Sequence, residues 1–337
     1  MRKFILIFIL ITILFFTLIA SEKVNKSNVY FTKDVSAEGV LKVFEKISDQ
    51  VHGKVAIKVH FGEDGNKTFL KPYLVQKLVE KLNATLVETN VLYVSKRRYT
   101  ESHIQLAKDH GFNFAPIDIL DSEGEKIIPL GLTHYKEVKA GSHIDNYDTF
   151  VIYSHFKGHS MSGFGGAIKN VSMGLASIPG KMALHASSVP IYKPGACTQC
   201  GICVPECPGG AISINPLVID VKKCIGCGTC IGICPVRCFD VPWRSTEQSV
   251  FLERLCEYAK GFTDNYNMVY INVLANISRR CDCSTRAPVP FMDDIGILAS
   301  TDIVAVENAS HDLVDEAYGS DDTFLKVNYV SGKNQIE

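Results

Sequence analysis

Two stretches of this sequence decide how the middle of the chain folds. Residues 197–208 read CTQCGICVPECP, and residues 224–235 read CIGCGTCIGICP. Both follow the pattern C-x2-C-x2-C-x3-C-P, so the second stretch repeats the first at a spacing of 27 residues (224 − 197). The chain holds 12 cysteines, and this repeat accounts for most of them.

The spacing of the repeat is typical of iron–sulfur ligation. A cubic 4Fe–4S cluster needs one thiolate on each iron, and three cysteines spaced by three residues wrap one cube. The fourth cysteine, before a proline, points toward the neighbouring cluster. We therefore expect cluster one at Cys197, Cys200, Cys203 and Cys234, and cluster two at Cys224, Cys227, Cys230 and Cys207.

Zinc and disulfides are the alternatives for these cysteines. Structural zinc is bound by paired C-x2-C motifs and has no use for a third cysteine at the same step. Disulfides would not require the repeated proline. Gly201, Gly226 and Gly228 suit a backbone that turns tightly around a cube, which favours the clusters.

The sequence on either side of the repeat predicts an α/β fold. Short apolar runs that read as strands are 55–59, 84–88, 115–120, 149–153, 268–274 and 295–299. Stretches with helical periodicity are 70–82, 100–110, 251–259 and 303–316. This alternation predicts a mainly parallel sheet with flanking helices.

Both flanks follow the same alternation, which indicates one discontinuous α/β domain over 28–190 and 243–337. The segment 191–242 would then be an inserted ferredoxin-like α+β domain that binds two clusters. Two separate, small α/β domains are the alternative.

One candidate site follows the strand ending at Tyr153. His155 and His159 lie in the loop after it, and Gly163–Gly166 precede a predicted helix that carries Lys169. Ligands of open α/β sheets bind beyond the carboxyl ends of the strands, and a glycine-rich loop before a helix offers free N–H groups to an anion. The loop matches neither a dinucleotide nor a P-loop pattern. The alternative is tight packing at the glycines, with exposed histidines.

Other charged residues are less specific. His60, close to Glu63, follows the first predicted strand and could act in acid–base chemistry or bind a metal, although a solvated strand end is the simpler interpretation. His185 carries a weaker signal still. The run from Lys96 to Arg98 predicts a solvated loop.

The remaining cysteines divide into two kinds. Cys238 and Cys256 are predicted to be buried or core side chains. Cys281 and Cys283 form a C-x-C pair beside arginines and could bind an additional metal or act as a low-pKa redox pair; loop thiols or a disulfide are the alternatives. We expect this pair to approach His155 and His159 within metal-bridging distance, with Gly163–Gly166 as the pocket floor.

The first residues have the composition of a targeting segment. Arg2 and Lys3 precede an apolar run over 4–20, which predicts a signal peptide over 1–21 or an uncleaved membrane anchor. Both place the chain in the secretory pathway or at a membrane. A cytoplasm-facing anchor is the alternative that suits cluster assembly inside the cell.

Composition excludes several classes of protein. The chain has 337 residues, with 46% hydrophobic and 21% charged residues and a net charge of −1. This composition is typical of globular domains, so wholesale disorder is excluded. The balanced charge argues against nucleic acid as a partner.

Four stretches of the sequence resemble a known family. They are 155–176 (including HFKGH and GGAIKN), 58–63 (KVHFGE), 276–283 and 294–300 (DIGILAS). They are similar to the uncharacterised iron–sulfur proteins catalogued as domain of unknown function 362, over roughly 28–335. The resemblance implies an α/β domain with a ferredoxin-like insertion, and no established reaction. Relatives tend to continue into a final helix where this chain stops at Glu337.

The leading functional hypothesis is an iron–sulfur redox protein. Two 4Fe–4S clusters would relay electrons between an unknown redox partner protein and a site in the α/β domain. Candidate catalytic residues there are His60, His155, His159 and Lys169, so the chain could be an oxidoreductase. The alternatives are a simple electron carrier whose α/β part is a docking module, and a non-catalytic protein that handles metals or clusters.

Overall fold

The computed structural model describes residues 26–185, 189–243, 245–286 and 288–336. The segment 1–21, where we predict a signal peptide or anchor, lies outside these ranges. Among the residues described, no helix combines the length and the apolar character needed to cross a membrane.

Strands and helices alternate along the chain. The strands are β1 (Tyr30–Thr32), β2 (Val55–Lys58), β3 (Thr85–Glu88), β4 (Ile117–Ile119), β5 (Glu125–Pro129), β6 (Glu137–Gly141), β7 (Thr149–His155), β8 (Lys157–His159), β9 (Gly163–Gly165), β10 (Ile191–Tyr192), β11 (Ile212–Ser213), β12 (Val218–Ile219), β13 (Phe239–Asp240), β14 (Asn267–Leu274) and β15 (Gly296–Ser300). The helices are α1 (Ala37–Phe44), α2 (Tyr73–Leu82), α3 (Thr100–Asp109), α4 (Ala167–Ser172), α5 (Ile178–His185), α6 (Thr229–Ile233), α7 (Gln248–Thr263), α8 (Ile303–Tyr318) and α9 (Thr323–Asn328).

A seven-stranded sheet organises the part of the chain that the structure describes. Its order is β1-β15-β14-β7-β2-β3-β4. The pairs from β14 through β7, β2 and β3 to β4 are parallel, whereas β15 pairs antiparallel with both β14 and β1. The prediction of a mainly parallel α/β sheet is confirmed. Strands β14 and β15, which follow the cysteine repeat, complete a sheet begun by strands that precede it.

The two faces of the sheet support separate apolar cores. All residues of β7 are buried, with Phe150 and Ile152 in one core and Val151 and Tyr153 in the other. Helices α1 and α2 cover the second core, and α7 and α8 contribute to the first. Burying such a side chain contributes about 1.5–3 kcal/mol, so this strand is a major source of stability.

The ends of the helices follow recognisable capping signals. The hydroxyl of Ser36 accepts a hydrogen bond from Gly39 N, and Asp302 accepts from the first turn of α8. Helix α2 begins at Tyr73, after Pro72, and not at Leu70 as predicted; Leu70 is buried but lies in the segment before the helix. The helix ends at Leu82, and Asn83 after it adopts the left-handed conformation that closes many helices.

The segment that carries the cysteine repeat has a small core, which also includes Leu92 and Met182 from outside the segment, and two short antiparallel strand pairs. Strand β10 pairs with β13, and β11 pairs with β12. A shift of 27 residues converts β10 into β12 and β11 into β13, so the two strand pairs are equivalent and have the same register. Each pair therefore joins one strand from each copy of the repeat.

Candidate functional site

A cavity of about 370 Å³ lies beyond the carboxyl ends of β2, β3 and β7. Lys58 ends β2, Glu88 ends β3 and His155 ends β7, and all three side chains line the cavity. Parallel strands deliver their ends to one edge of a sheet, which explains the convergence. The volume is within the range of small-molecule sites.

The predicted site residues meet at this cavity. His60, His155, His159, Lys169 and Cys283 all line it. His60 is therefore a cavity residue and not a solvated strand end. Burial, followed by the charge of Arg97, lowers the pKa of His60 well below its usual value, which makes this ring neutral.

A buried ion-pair network forms one wall of the cavity. Arg97 pairs with Glu88 and lies 3.7 Å from a carboxylate oxygen of Glu63, and His103 Nε2 lies 3.0 Å from Glu88. Burial raises the pKa of Glu88, but the charges of Arg97 and its neighbours outweigh burial and hold this pKa well below its usual value. The network keeps Glu88 ionised.

The prediction that residues 96–98 form a solvated loop is wrong. They form a short 3-10 turn in which Arg97 and Arg98 are buried. Arg97 neutralises Glu88, while Arg98 donates to the carbonyl oxygens of Leu92 and Gly228. The sequence alone does not show that the chain folds back so that Glu88 and Leu92, only six to nine residues away, become partners of these arginines.

Lys58 connects the sheet edge to α4. Its ammonium group donates to Val59 O at 2.6 Å and to Asn170 Oδ1 at 3.0 Å, and lies 3.9 Å from Glu88. Burial lowers the pKa of Lys58 to about 7 despite the nearby carboxylate. The pair Lys58–Asn170 fixes α4 against the ends of the strands.

His155 orients the loop that carries the C-x-C pair. Its Nδ1 lies 2.8 Å from Asp282 Oδ2 and its Nε2 lies 2.7 Å from Ala275 O. Burial opposes ionisation of Asp282, but His155 and Lys157 lower its pKa. Both ring nitrogens are engaged, so the expectation that His155 approaches the cysteines as a metal ligand is wrong.

His159 does approach the C-x-C pair. One of its ring nitrogens and the sulfurs of Cys281 and Cys283 lie within 4.8 Å of one another. The two sulfurs are joined in a disulfide, one of the alternatives that the sequence left open. The His159 Nδ1 atom accepts hydrogen bonds from the backbone N–H groups of Met161 and Ser162, so the proton of the neutral ring is on Nε2. Burial, followed by the charge of Lys169, lowers the pKa of His159 well below its usual value.

The glycine-rich loop differs from its prediction. Gly163–Gly165 form β9, which pairs antiparallel with β8, and only Gly165 and Gly166 line the cavity. The predicted free N–H groups are not free, because Ala167 N donates to the buried carboxylate of Glu307. Burial raises the pKa of Glu307 to about 7. The group that this helix start binds is therefore a carboxyl side chain of the protein itself.

Other predicted residues have clear positions. His185 lines the cavity and stacks on Phe251, and burial lowers its pKa to about 3. Cys238 is buried, as predicted, whereas Cys256 is half-buried at the edge of the core.

The eight cysteines of the repeat form two groups of four. One group lines a small pocket and consists of Cys207, Cys224, Cys227 and Cys230. The other lines a second small pocket and consists of Cys197, Cys200, Cys203 and Cys234. Each group takes three sulfurs from one motif and one from the other.

Side chains of the α/β domain connect the cysteine segment to the cavity. A β-carbon added at Gly228 would lie 2.7 Å from Leu92 Cδ1, and Leu92 itself lines the cavity. Arg98 donates to Gly228 O at 3.1 Å, and Tyr99 donates to Gly232 O at 2.9 Å. The second motif thus packs directly on the cavity wall.

Sequence reasoning missed several residues of this site. Among them are Lys58, Glu88, Arg97, Asp282 and Glu307. A charged residue that ends a buried strand was an available signal for Lys58 and Glu88. Glu307 lies within the amphipathic helix α8, and nothing in the local sequence separates it from a surface glutamate.

Comparison with known proteins gives one family match. A family model described as "Domain of unknown function (DUF362)" matches residues 55–312. No match was found among proteins with curated functions.

Matches among solved structures include two that align over most of this chain. The lactate racemase apoprotein from Thermoanaerobacterium thermosaccharolyticum aligns with a TM-score of 0.36 and 14% identity, over 73% of this chain and 50% of that one. A protein from Thermotoga maritima aligns with a TM-score of 0.43 and 10% identity, over 86% and 61%. The chain thus spans less than two thirds of either relative.

Proposed function

The chain belongs to the DUF362 family, a family of unknown function, and we propose that it is an iron–sulfur redox protein. In this proposal the segment 191–242 is a ferredoxin-type domain that binds two 4Fe–4S clusters. The clusters relay electrons between a redox partner protein and the cavity in the α/β domain, where a bound substrate would make the chain an oxidoreductase.

The donor set fits this cofactor. Each cysteine group offers four sulfurs around one small pocket, which is the number that a cubic cluster requires. Burial raises the pKa of Cys230 to about 12, so without a metal this thiol would be protonated. Bound iron would instead favour its thiolate form.

Backbone groups near the cysteines also fit. Gln199 N, Ala211 N and Cys238 N donate to the sulfurs of Cys197, Cys207 and Cys234 at 3.3–3.4 Å. Hydrogen bonds to cluster sulfurs are one way in which proteins tune the potential of a cluster. A bound cluster supplies reversible one-electron transfer, and the chain sets its environment.

The observation that carries the proposal is the contact between the second motif and the cavity. Gly228, between two cysteines of this motif, packs against Leu92, and Leu92 lines the cavity. Electrons could pass from the second cysteine group to a bound molecule through this short, packed route. A simple carrier would not need a cavity lined by buried titratable groups, which disfavours that alternative.

The first motif would face the redox partner. Cys200 is exposed, and the apolar side chains of Ile202 and Val204 near it are 46% and 36% exposed. Exposed apolar side chains occur in both motifs, since Ile225 of the second is 59% exposed, so it is the exposed ligand Cys200 that favours electron entry at this end of the segment.

Anaerobic reconstitution of the full chain tests the proposal. Two complete ligand sets predict about eight iron atoms and eight sulfides per chain, with two magnetically interacting clusters by EPR after reduction. Replacement of Cys256 by Ser is the matched control, since this cysteine lies outside both groups. Stoichiometric zinc with little iron would refute the proposal.

A second candidate is an additional metal site at His159, Cys281 and Cys283. Their mutual proximity favours it. Metal binding would require reduction of the disulfide. A metal-binding histidine also normally donates the proton of its other ring nitrogen, whereas Nδ1 of His159 accepts from two backbone N–H groups, and this arrangement opposes metal binding. Zinc that remains bound to the reduced chain and disappears in Cys281→Ser, but not in Cys256→Ser, would support this site.

A further inference from the structure

The cavity carries an excess of positive charge. Its cationic lining residues are Lys58, Arg97, Lys157, Lys169 and Lys181. Within the described part of the chain, Glu88 is the only carboxylate among the lining residues. Glu88 is paired with Arg97, and Asp282, which does not line the cavity, lies 3.5 Å from Lys157. The lining itself therefore carries five cationic side chains and one carboxylate.

Most of these cations have oxygen partners within the protein. Lys58 donates to Val59 O, Lys157 donates to His155 O at 2.9 Å, and Lys181 donates to Ala176 O at 2.7 Å. These groups are held in place by the chain and shape the field inside the cavity.

Lys169 is the exception. Its side chain packs over Gly165, where an added β-carbon would lie 3.0 Å from Lys169 Cδ. Among the residues that the structure describes, no hydrogen-bond or ion-pair partner contacts its ammonium group. Lys169 is half-buried and lines the cavity, so its ammonium group, without a partner among the described residues, is left to bind something outside the chain.

Burial also lowers the pKa values of lysines that line the cavity. Burial, followed by the charges of Lys157 and Arg97, lowers the pKa of Lys169 to about 7. Burial also lowers the pKa of Lys181 to about 8. A bound anion would favour the charged form of each lysine and offset the cost of burial.

Another part of the wall is apolar, although two serines, Asn170 and four histidines also line the cavity. Apolar and aromatic lining residues are Val91, Leu92, Met161, Met173 and Trp243. A purely inorganic anion would leave this surface unused, whereas a carbon skeleton would bury against it.

We propose that the cavity binds a small organic anion, with its negative group at Lys169 and its apolar part against the methionines and Trp243. This inference deepens the proposed function by naming the substrate class of the cavity. It rests on that function only in treating the cavity as the reacting site, since binding requires no electron transfer.

Calorimetric titration of the cluster-loaded full chain tests the proposal. The probes are benzoate, its uncharged analogue benzamide, and inorganic phosphate. Benzoate should bind, benzamide should bind at least about tenfold more weakly, and phosphate should bind more weakly than benzoate. Trp243 is the only tryptophan of the chain and lines the cavity, so its fluorescence gives a second readout.

Variants locate the site. Lys169→Met should weaken benzoate binding about tenfold or more, and Lys169→Arg should restore most of it because the charge returns. Lys108→Met, at an exposed position on α3, is the matched control and should bind normally. Circular dichroism separates loss of binding from loss of fold.

Each contrary outcome overturns the inference. These outcomes are equal binding of benzamide, preference for phosphate over benzoate, and unchanged benzoate affinity in Lys169→Met. Failure of benzoate to bind a chain that contains both clusters would refute the anion site and leave the iron–sulfur proposal intact. Benzoate binding by a chain that cannot take up iron would refute the iron–sulfur proposal and leave the anion site intact.

Discussion

The two cysteine motifs have the same spacing but different surroundings. The first motif lies at the outside: Cys200 is exposed, and a β-carbon at Gly201 would meet only Ile214, from its own segment, within 4 Å. The second motif is docked: Gly228 packs on Leu92 and Ile178, and Arg98 contacts Gly232. Two copies of one pattern therefore occupy a solvent side and a cavity side.

The backbone of the two motifs is nonetheless the same. Left-handed conformations recur at the 27-residue spacing, with φ of 76° at Gly201 and 70° at Gly228, and 57° at Gln199 and 67° at Gly226. The local fold follows the repeat, while the tertiary contacts differ. This difference gives the segment a direction, from an outer end to an inner end, that the repeat alone does not have.

The largest expected effect tests which cysteines share a cluster. Replacing Cys207, in the first motif, with Ser should cost the inner cluster, because its sulfur groups with the second motif. Iron should fall from about eight to about four per chain. Alkylation and mass spectrometry should then label Cys224 and Cys227 but leave Cys197 protected.

The reciprocal variant completes this test. Cys234→Ser should expose Cys197, Cys200 and Cys203 to alkylation and leave the inner group, which includes Cys207, protected. Cys256→Ser should change neither pattern. Labelling confined to the motif that carries the substitution would contradict the crossed grouping.

A lysine in the cavity should also react differently from a lysine in water. An ordinary lysine has a pKa near 10.4. Burial lowers the pKa of Lys169 to about 7, so at neutral pH its amine should be neutral about a thousand times more often. Competitive acetylation over a pH series should show half-maximal reactivity of Lys169 near pH 7. A midpoint above about 9 would show that the cavity is wetter than the geometry indicates.

A matched pair of glycine substitutions compares the docking of the two motifs. Ala at either position adopts a similar left-handed backbone, but only at Gly228 would the new methyl group meet the Leu92 side chain at 2.7 Å. Gly228→Ala should therefore destabilise the chain by about 1–3 kcal/mol more than Gly201→Ala. Denaturant titration of the anaerobic protein measures the difference, and equal effects would argue against tight docking.

The smallest effect concerns sensitivity to air. The outer group includes an exposed cysteine, whereas none of the inner group is exposed. The single-cluster variants Cys207→Ser and Cys234→Ser should therefore differ, with the outer cluster bleaching in air several-fold faster than the inner one. Faster loss of the inner cluster would reverse the assignment of the two ends.

Much of the fold could be predicted from sequence because its signals are local. The buried strands β2, β3, β7 and β14 can be recognised in the sequence as β-branched and apolar runs, and their alternation with helices indicates parallel pairing. The β5–β6 and β8–β9 hairpins were not predicted. Gly163–Gly165 look like a flexible loop in sequence, and only the pairing with Lys157–His159 makes them a strand.

The candidate site could be predicted in part, for a related reason. His60, His155 and His159 were found because they follow strands, and strand ends meet at one edge. The electrostatics could not be found this way. Arg97 looks solvated until Glu88 and His103 surround it, and Glu307 looks exposed until it caps α4.

The sequence by itself determined what depends on spacing. The C-x2-C-x2-C-x3-C-P repeat specifies the equivalent turns of the two motifs, because each turn involves residues close in the chain. Only the tertiary structure decided which motif docks on Leu92, that Lys169 has no partner among the described residues, and that His159 meets Cys281 and Cys283. These features depend on contacts between residues more than 100 positions apart, and on the loss of water that burial brings, neither of which local pattern encodes.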